Sequence, residues 1–523
     1  MYNYTVHNAG SGPLNRTTPL STPQGATSTS GSARGMPPAE ARALAAAPTG
    51  LLIGGEWLPA RGGKLLPVED PATGQVLAEV ADASPEDAAA ALEAASGAQA
   101  AWAATAPRRR GEVLRTAYEL MTAGVEDLAM LMTMEMGKPL AESRAEVAYA
   151  AEFFRWFSEE AVRIGGDYRV APSGANRVLV MRQPVGPCLL VTPWNFPAAM
   201  ATRKLGPAIA AGCTAVLKPA EQTPLSALAI ARILTEAGLP PGVVNVITTS
   251  SPSEVTTPLF RDRRLRKLSF TGSTEVGSHL MAAASERVLR VSLELGGNAP
   301  FIVFADADLD AAVEGALLAK MRNTGEACTA ANRFYVQAPL AREFAERLSA
   351  AMSKLPVGRG TEPDVKVGPL IDAVQRGKVV SLVDEAVSRG ARILSGGAAP
   401  AGSGYFYEPT VLADVPDGVG LSTTEIFGPV APVWSFESDE EALAAANGTD
   451  YGLVSYVYTR DLARAFRVAE GLETGMVGLN RGIVSDPSAP FGGVKASGIG
   501  REGGEAGIEE YLELKYVAID KTW

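Results

Sequence analysis

From about residue 50 onward, short apolar runs alternate with longer helix-like stretches. Residues 188–192 (CLLVT) read as a buried strand, followed by a helix around RKLGPAIAAG. TAVLKP is the next strand, TPLSALAIARILTEAG a helix and VVNVIT another strand; KLSFTG then leads into a helix from Thr274. Upstream, Ser84-Pro85-Glu86-Asp87 supplies an N-cap, a proline at the first helical position and first-turn acids, opening an alanine-rich helix. Repeated β-α-β units with apolar strands predict a parallel sheet covered on both faces. A second such series runs from PFIVF at residue 300 to about residue 480, so the chain reads as two α/β domains. Residues 165–184 interrupt the first series as an extended hairpin, and the ending EEYLELKYVAI is also strand-like. Exposed strands of this kind pair with another subunit or lie as an edge on their own domain, and pattern alone leaves both open.

The length of 523 residues agrees with more than one core. A hydrophobic fraction of 46% with 20% charged residues is that of a globular protein. The net charge of −11, with no basic cluster, argues against a nucleic acid partner. No apolar run approaches ~18 residues, so no membrane span is expected. Residues 1–48 include a Ser/Thr/Gly/Pro-rich stretch that cannot repay its ordering entropy and are expected to be a disordered or non-native tail. Cys188, Cys213 and Cys328 are too few and too irregular for a disulfide framework or a zinc site, which points to a reducing, cytoplasmic setting. The chain has only two histidines, His7 in the tail and His279. A His-rich metal centre is thereby excluded, no metal is expected, and any Cys-His dyad would have to use His279.

Four segments carry candidate chemistry. Cys328 lies in MRNTGEACTAANRFYV, where a turn of small residues can present a thiol at the mouth of a domain. A lone cysteine is more often an inert buried hydrophobe, the description that Cys188 and Cys213 fit. Glu294 ends the strand LRVSLE and precedes two glycines, so a reactant can approach it closely as a general base; a solvated turn carboxylate is the commoner case. Asn195, in VTPWNFP, leaves a strand between two prolines and is either an oxyanion donor or plain turn chemistry. In SFTGSTEVG, Gly272 and Gly277 frame a strand-to-helix turn whose N–H groups suit a phosphate, although it departs from G-x-G-x-x-G.

Taken together, in order and spacing, these segments resemble the aldehyde dehydrogenase superfamily, from about residue 50 to the C-terminus. KPAEQTP (218–224), EIFGPV (425–430) and PFGGVKASGIGREGG (490–504) resemble further blocks of that family. The resemblance implies an α/β fold of two Rossmann-like parallel-sheet domains plus a β-hairpin oligomerisation element. The division is a dinucleotide-binding domain over 49–164 and 185–296, a catalytic domain over 297–504, and oligomerisation strands over 165–184 and 505–523. It further implies that Cys328 is the nucleophile, that Glu294 activates the deacylating water, and that Asn195 and the Cys328 backbone N–H form the oxyanion hole. Lys204 and Glu502 match positions linked to proton relay. Trp194, Lys218, Glu221, Ser273, Glu425 and Phe427 match cofactor positions. A carboxylate at Glu221 would bond the adenosine ribose and repel a 2′-phosphate while Lys218 attracts one, so NAD is expected, with NADP tolerated. No step in such a mechanism needs a histidine. A homodimer or homotetramer is implied.

Within the superfamily the chain is most similar to the succinate-semialdehyde dehydrogenase branch, through residues 200–224, residues 321–336 and the ending GIEEYLELKYV. The positions matching that branch's carboxylate ligands are Arg203, Arg322 and Ser485, and guanidinium forks suit a carboxylate. Asp486 adds a negative charge beside this pocket, so glutarate semialdehyde or another ω-acid aldehyde fits the same arginines. The alternatives are a broad-specificity aliphatic or aromatic aldehyde dehydrogenase and, in another class, a cofactor-free cysteine esterase.

Overall fold

Two parallel sheets organise the part of the chain that the computed structural model describes, residues 36–521. The first has eight strands in the order Glu56–Leu58, Leu51–Ile53, Val244–Val246, Ala215–Lys218, Cys188–Val191, Lys267–Thr271, Arg290–Glu294 and Gly498–Ile499. Its five central members from Val244–Val246 to Arg290–Glu294 are parallel, as the apolar runs predict. From Cys188–Val191 the chain adds strands first on one side, then returns to place Lys267–Thr271 on the other. That reversal opens a crevice beyond the carboxyl ends of the strands. Ser84 caps the helix Pro85–Ala104 in a reciprocal capping box with Asp87, as its sequence predicts.

The second sheet has seven strands, ordered Arg392–Ser395, Thr410–Ala413, Val430–Phe436, Ala331–Gln337, Ala299–Val303, Val454–Tyr458 and Met476–Leu479. Ala299–Val303 starts shortly after Arg290–Glu294 ends, so the amino edge of this sheet meets the carboxyl edge of the first. The helix Pro197–Ala211 packs within the first core, against the helices Leu140–Glu160 and Pro224–Glu236 and the strand Cys188–Val191, and every residue of it is buried, Arg203 and Lys204 included. A helix enclosed on all sides can carry charges only where partners meet them.

The hairpin Asp167–Val170 and Asn176–Pro184 is extended by Leu512–Asp520 into a separate three-stranded sheet. Tyr168, Val170, Leu514 and Tyr516 are exposed on it.

Three expectations about boundaries need correction. The unstructured segment expected up to residue 48 ends earlier, because Pro38–Ala46 is a helix. Arg359 holds it by a two-pronged bond to the buried Glu40, at 2.9 Å on each side, and reaches Asp70 as well. Residues 1–35 of that expected tail lie outside the described residues. The stretch assigned to 297–504 also crosses back: Gly498–Ile499 pairs antiparallel with Arg290–Glu294 of the first sheet. Finally, residues before Leu512 do not join the C-terminal strand; Ile508 and Tyr511 are buried in the first core instead.

Among the described residues, no helix is long and apolar enough to cross a membrane. None of their His, Cys, Asp and Glu side chains form a group of three placed to hold a metal ion.

Candidate active site

The loop that carries Cys328 is shaped against local preference at one residue, Thr324. The helix Leu309–Met321 gives way to a single tight turn, Arg322–Gly325. Asn323, Thr324 and Gly325 then adopt φ values of 55°, 56° and 80° in succession. A β-branched residue in this region is strained, and such strain persists only where the surroundings impose it. Here they do: Glu142 accepts the Asn323 N–H at 2.5 Å, Thr324 Oγ1 accepts the Gly368 N–H at 3.3 Å, and Glu326 Oε1 accepts the Ile371 N–H at 3.1 Å. A side chain at Gly325 would collide with the Gly428 carbonyl. The result brings Cys328, partly exposed, to the amino edge of the second sheet. Burial pushes its thiol up to about 12, partly offset by the Arg203 guanidinium.

Asn195 follows the strand Cys188–Val191 and is buried. Its Nδ2 donates to the Glu326 carbonyl at 3.1 Å, two residues before Cys328, which leaves a second amide hydrogen. Glu294 is buried at the end of its strand, with neither carboxyl oxygen hydrogen-bonded. Burial holds its acid well above the usual range, and the neighbouring Glu502 raises it further. Glu502 goes the other way. Burial alone would raise its acid, but Lys204 and Arg203 outweigh it and hold the group below its ordinary value. Lys204 donates to Glu502 at 2.6 Å and to Ser269 at 2.9 Å, while the Arg203 guanidinium lies 2.5 Å from the other Glu502 oxygen. The two neighbouring carboxyl groups are thus shifted in opposite directions, Glu294 up and Glu502 down. The parallel register sets Ser269 beside Ser292 and Thr271 beside Glu294, a polar column on buried strand positions.

On the crevice side, the Trp194 and Phe427 rings meet edge to face at 5.3 Å. Lys218 is buried and donates to the half-exposed Glu221 at 3.2 Å. Ser273 caps the helix Thr274–Ser285 by accepting the Val276 N–H at 3.3 Å. Glu425 accepts the Gly297 N–H at 3.1 Å, and burial lifts its acid to about 7. The paired glycines after Glu294 are required by close approach: a Cβ at Gly296 would crowd Glu425, and one at Gly297 the Cys328 carbonyl. A buried cation, an accessible carboxylate, a capped helix start and two aromatic rings around one crevice fit a dinucleotide with its phosphates, riboses and flat rings.

The third wall is cationic and aromatic. Arg322 donates to Ser485 at 3.2 Å and lies over the Phe196 ring at 4.8 Å. Arg203 is closed in by Glu502 and stacks over Phe491 at 4.2 Å. Tyr149 lies between the two, 5.9 Å from Arg322 and under the charge of both arginines. Asp486 is exposed and accepts from the Ser488 hydroxyl at 2.7 Å and its N–H at 2.9 Å. His279 is exposed on its helix and makes no dyad with the buried Cys188 or Cys213.

Of the residues that the resemblance implies, the structure joins Asn195 to the Cys328 loop, Lys204 and Arg203 to Glu502, Trp194 to Phe427, Lys218 to Glu221 and Arg322 to Ser485. Sequence reasoning missed Lys138, Glu142, Glu146, Tyr149 and Asn323. Four of these come from the helical region before the hairpin, where a charged or aromatic residue at helical spacing carries no distinguishing signal.

A sequence profile described as the aldehyde dehydrogenase family matches residues 57–517. A succinate-semialdehyde dehydrogenase of Paenarthrobacter nicotinovorans is 60% identical over 444 residues, covering 85% of this chain and 99% of that protein. A glutarate-semialdehyde dehydrogenase of Pseudomonas aeruginosa is 52% identical over 467 residues, covering 89% and 96%. Among solved structures, an NADP-dependent enzyme of E. coli aligns with a TM-score of 0.90 at 50% identity, covering 91% of this chain and 98% of that one.

Proposed function

Because the chain belongs to the aldehyde dehydrogenase family, we propose that it oxidises an ω-carboxy semialdehyde of four or five carbons to the dicarboxylic acid. The observation that carries the substrate class is the Arg322–Ser485 contact of 3.2 Å on the wall beside Cys328. It leaves a guanidinium edge for a distal carboxylate, with Arg203 adding positive charge from behind.

In this reading the Cys328 thiolate adds to the aldehyde carbon, and the alkoxide formed is held by the free Asn195 amide hydrogen and the Cys328 backbone N–H. A bound nicotinamide dinucleotide supplies the hydride acceptor, held by Trp194, Lys218, Glu221, Ser273, Glu425 and Phe427. Glu294, once deprotonated, is a strong carboxylate base because its acid is held high, and it takes a proton from the water that attacks the thioester. Lys204 and Glu502 pass that proton on in this reading, which their 2.6 Å contact supports. NAD is the preferred carrier, since Glu221 offers a carboxylate where a 2′-phosphate would have to lie, and NADP is used less well. A reducing, cytoplasmic setting suits an enzyme that needs a free thiol.

A steady-state panel of succinate and glutarate semialdehydes against uncharged aldehydes of equal length, with both cofactors, tests the assignment. Arg322→Ala is expected to raise KM for the carboxylated substrates by about 10- to 100-fold, the worth of one charge-assisted bond, and to leave the uncharged aldehydes unaffected. Equal responses in both classes would remove the carboxylate pocket and leave a broad-specificity enzyme.

Assembly into a homodimer or homotetramer through the three-stranded sheet belongs to the same proposal. Leu514, 67% exposed, and Tyr168, 59% exposed, are large apolar groups on strands that would otherwise be a liability in water. Leu514→Glu with Tyr516→Ser is expected to lower the mass measured by light scattering. A chain that is already monomeric at micromolar concentration refutes the assembly.

A further inference from the structure

Asn195 is gripped from behind by groups that the chemistry above does not use. Its backbone carbonyl accepts from Lys138 Nζ at 2.7 Å and from Asn323 Nδ2 at 2.9 Å. Its side-chain Oδ1 accepts the Phe196 N–H at 3.1 Å. Lys138 is 1% exposed, and its ammonium meets Glu146, enclosed to the same degree, at 2.5 Å. The same ammonium lies over the Phe196 ring, 4.2 Å from its centroid. Glu146 in turn accepts the backbone N–H groups of Ala198 and Ala199 at 3.0 and 3.2 Å, in the first turn of the helix that follows Asn195. The chain at Lys138 is itself clamped: a side chain at Gly360 or Gly368 would collide with the Lys138 or Gly137 carbonyl.

A wholly buried ion pair is seldom worth more to stability than apolar residues of equal volume. This one joins the two ends of a single short stretch: Lys138 holds the Asn195 carbonyl, and Glu146 holds the Ala198 and Ala199 N–H groups. We infer that Lys138, with Glu146 as its counter-ion, is a positioning residue for the reaction. It fixes the Asn195 peptide so that one side-chain hydrogen stays on the Glu326 carbonyl and the other remains aimed at the space beside Cys328. The inference rests on Asn195 being the oxyanion donor. Without the Lys138 contact the Asn195 carbonyl keeps only Asn323, and the peptide can tilt. Misplacement by about 1 Å costs on the order of 100-fold in rate where a donor must meet a developing charge.

Lys138→Met alone strands a buried carboxylate, and failure to fold would be uninformative. The paired variant Lys138→Met/Glu146→Gln removes both charges at nearly constant volume and is the one to measure. Its kcat is expected to fall about 30- to 100-fold, with dinucleotide affinity within about twofold of the parent. The discriminating step is the same pair in an Asn195→Ala background, where it should change kcat by less than about twofold, since the group it positions is gone. An undiminished kcat in the paired variant, or the full loss repeated without Asn195, overturns the positioning role. Parent-like turnover of Asn195→Ala by itself overturns the oxyanion assignment instead, and the inference with it.

Discussion

Cys328→Ala is expected to abolish aldehyde oxidation, by at least about 10⁵-fold, while dinucleotide binding followed by fluorescence stays within about twofold. No other thiol can substitute, because Cys188 and Cys213 are wholly buried in the first core. The same residue predicts a pH dependence. Burial holds the thiol up to about 12, so the free protein is protonated there at neutral pH. For an acid raised in this way the reactive form lies on the alkaline side, and the thiolate fraction grows tenfold per pH unit until the pKa is reached. Alkylation of Cys328 by iodoacetamide should therefore quicken by about tenfold per unit between pH 7 and 9. A flat profile, the mark of a thiolate already formed at pH 7, would refute that account of the resting site.

The second large effect belongs to Glu294→Gln. The amide keeps the volume of the carboxyl and removes its proton chemistry, so the step it serves should slow by about 10³-fold. Acylation should survive, giving one equivalent of NADH per subunit in a rapid first turnover and then near silence. Mass spectrometry should find the acyl group on Cys328 during that silence. A slow first turnover with no burst would move Glu294 from deacylation to activation of the thiol. The two raised acids, Cys328 and Glu294, thus separate by which half-reaction each variant arrests.

The strands of both sheets were legible because burial on two faces leaves little besides apolar residues, as in CLLV and PFIV. Lys267 and Ser269 show the limit of that rule. They occupy buried strand positions, and Lys267 is met by Ser292 Oγ at 2.8 Å, a partner 25 residues away that no local pattern can announce. The helix Pro38–Ala46 was hidden by averaging, since an alanine-rich segment followed a long Ser/Thr/Gly-rich one and the composition of the whole was read as one. Asn323 and Thr324 were unreadable for a different reason. Asparagine tolerates a left-handed φ but the β-branched Thr324 does not, and the turn is held by contacts to Glu142 and Gly368 from elsewhere in the chain. Arg203 was placed in the substrate pocket by resemblance, but its pairing with Glu502 joins residues nearly 300 apart, and only the fold reveals it. Candidate residues were therefore recognisable where a single residue type at a strand end sufficed. They were unreadable where one buried charge answers another.

The short return strand Gly498–Ile499 has a consequence for how this protein can be cut or recombined. The polypeptide leaves the first lobe after Glu294, builds the second, and comes back to close the open edge of the strand that bears Glu294. Neither lobe is thus a transferable module. A chimaera that exchanges everything after residue 297 also exchanges the last strand of the lobe it means to keep, along with Glu502, the carboxylate beside Glu294. Swaps that respect the architecture must carry the stretch around 490–520 with the amino-terminal half, as an inserted cassette would require.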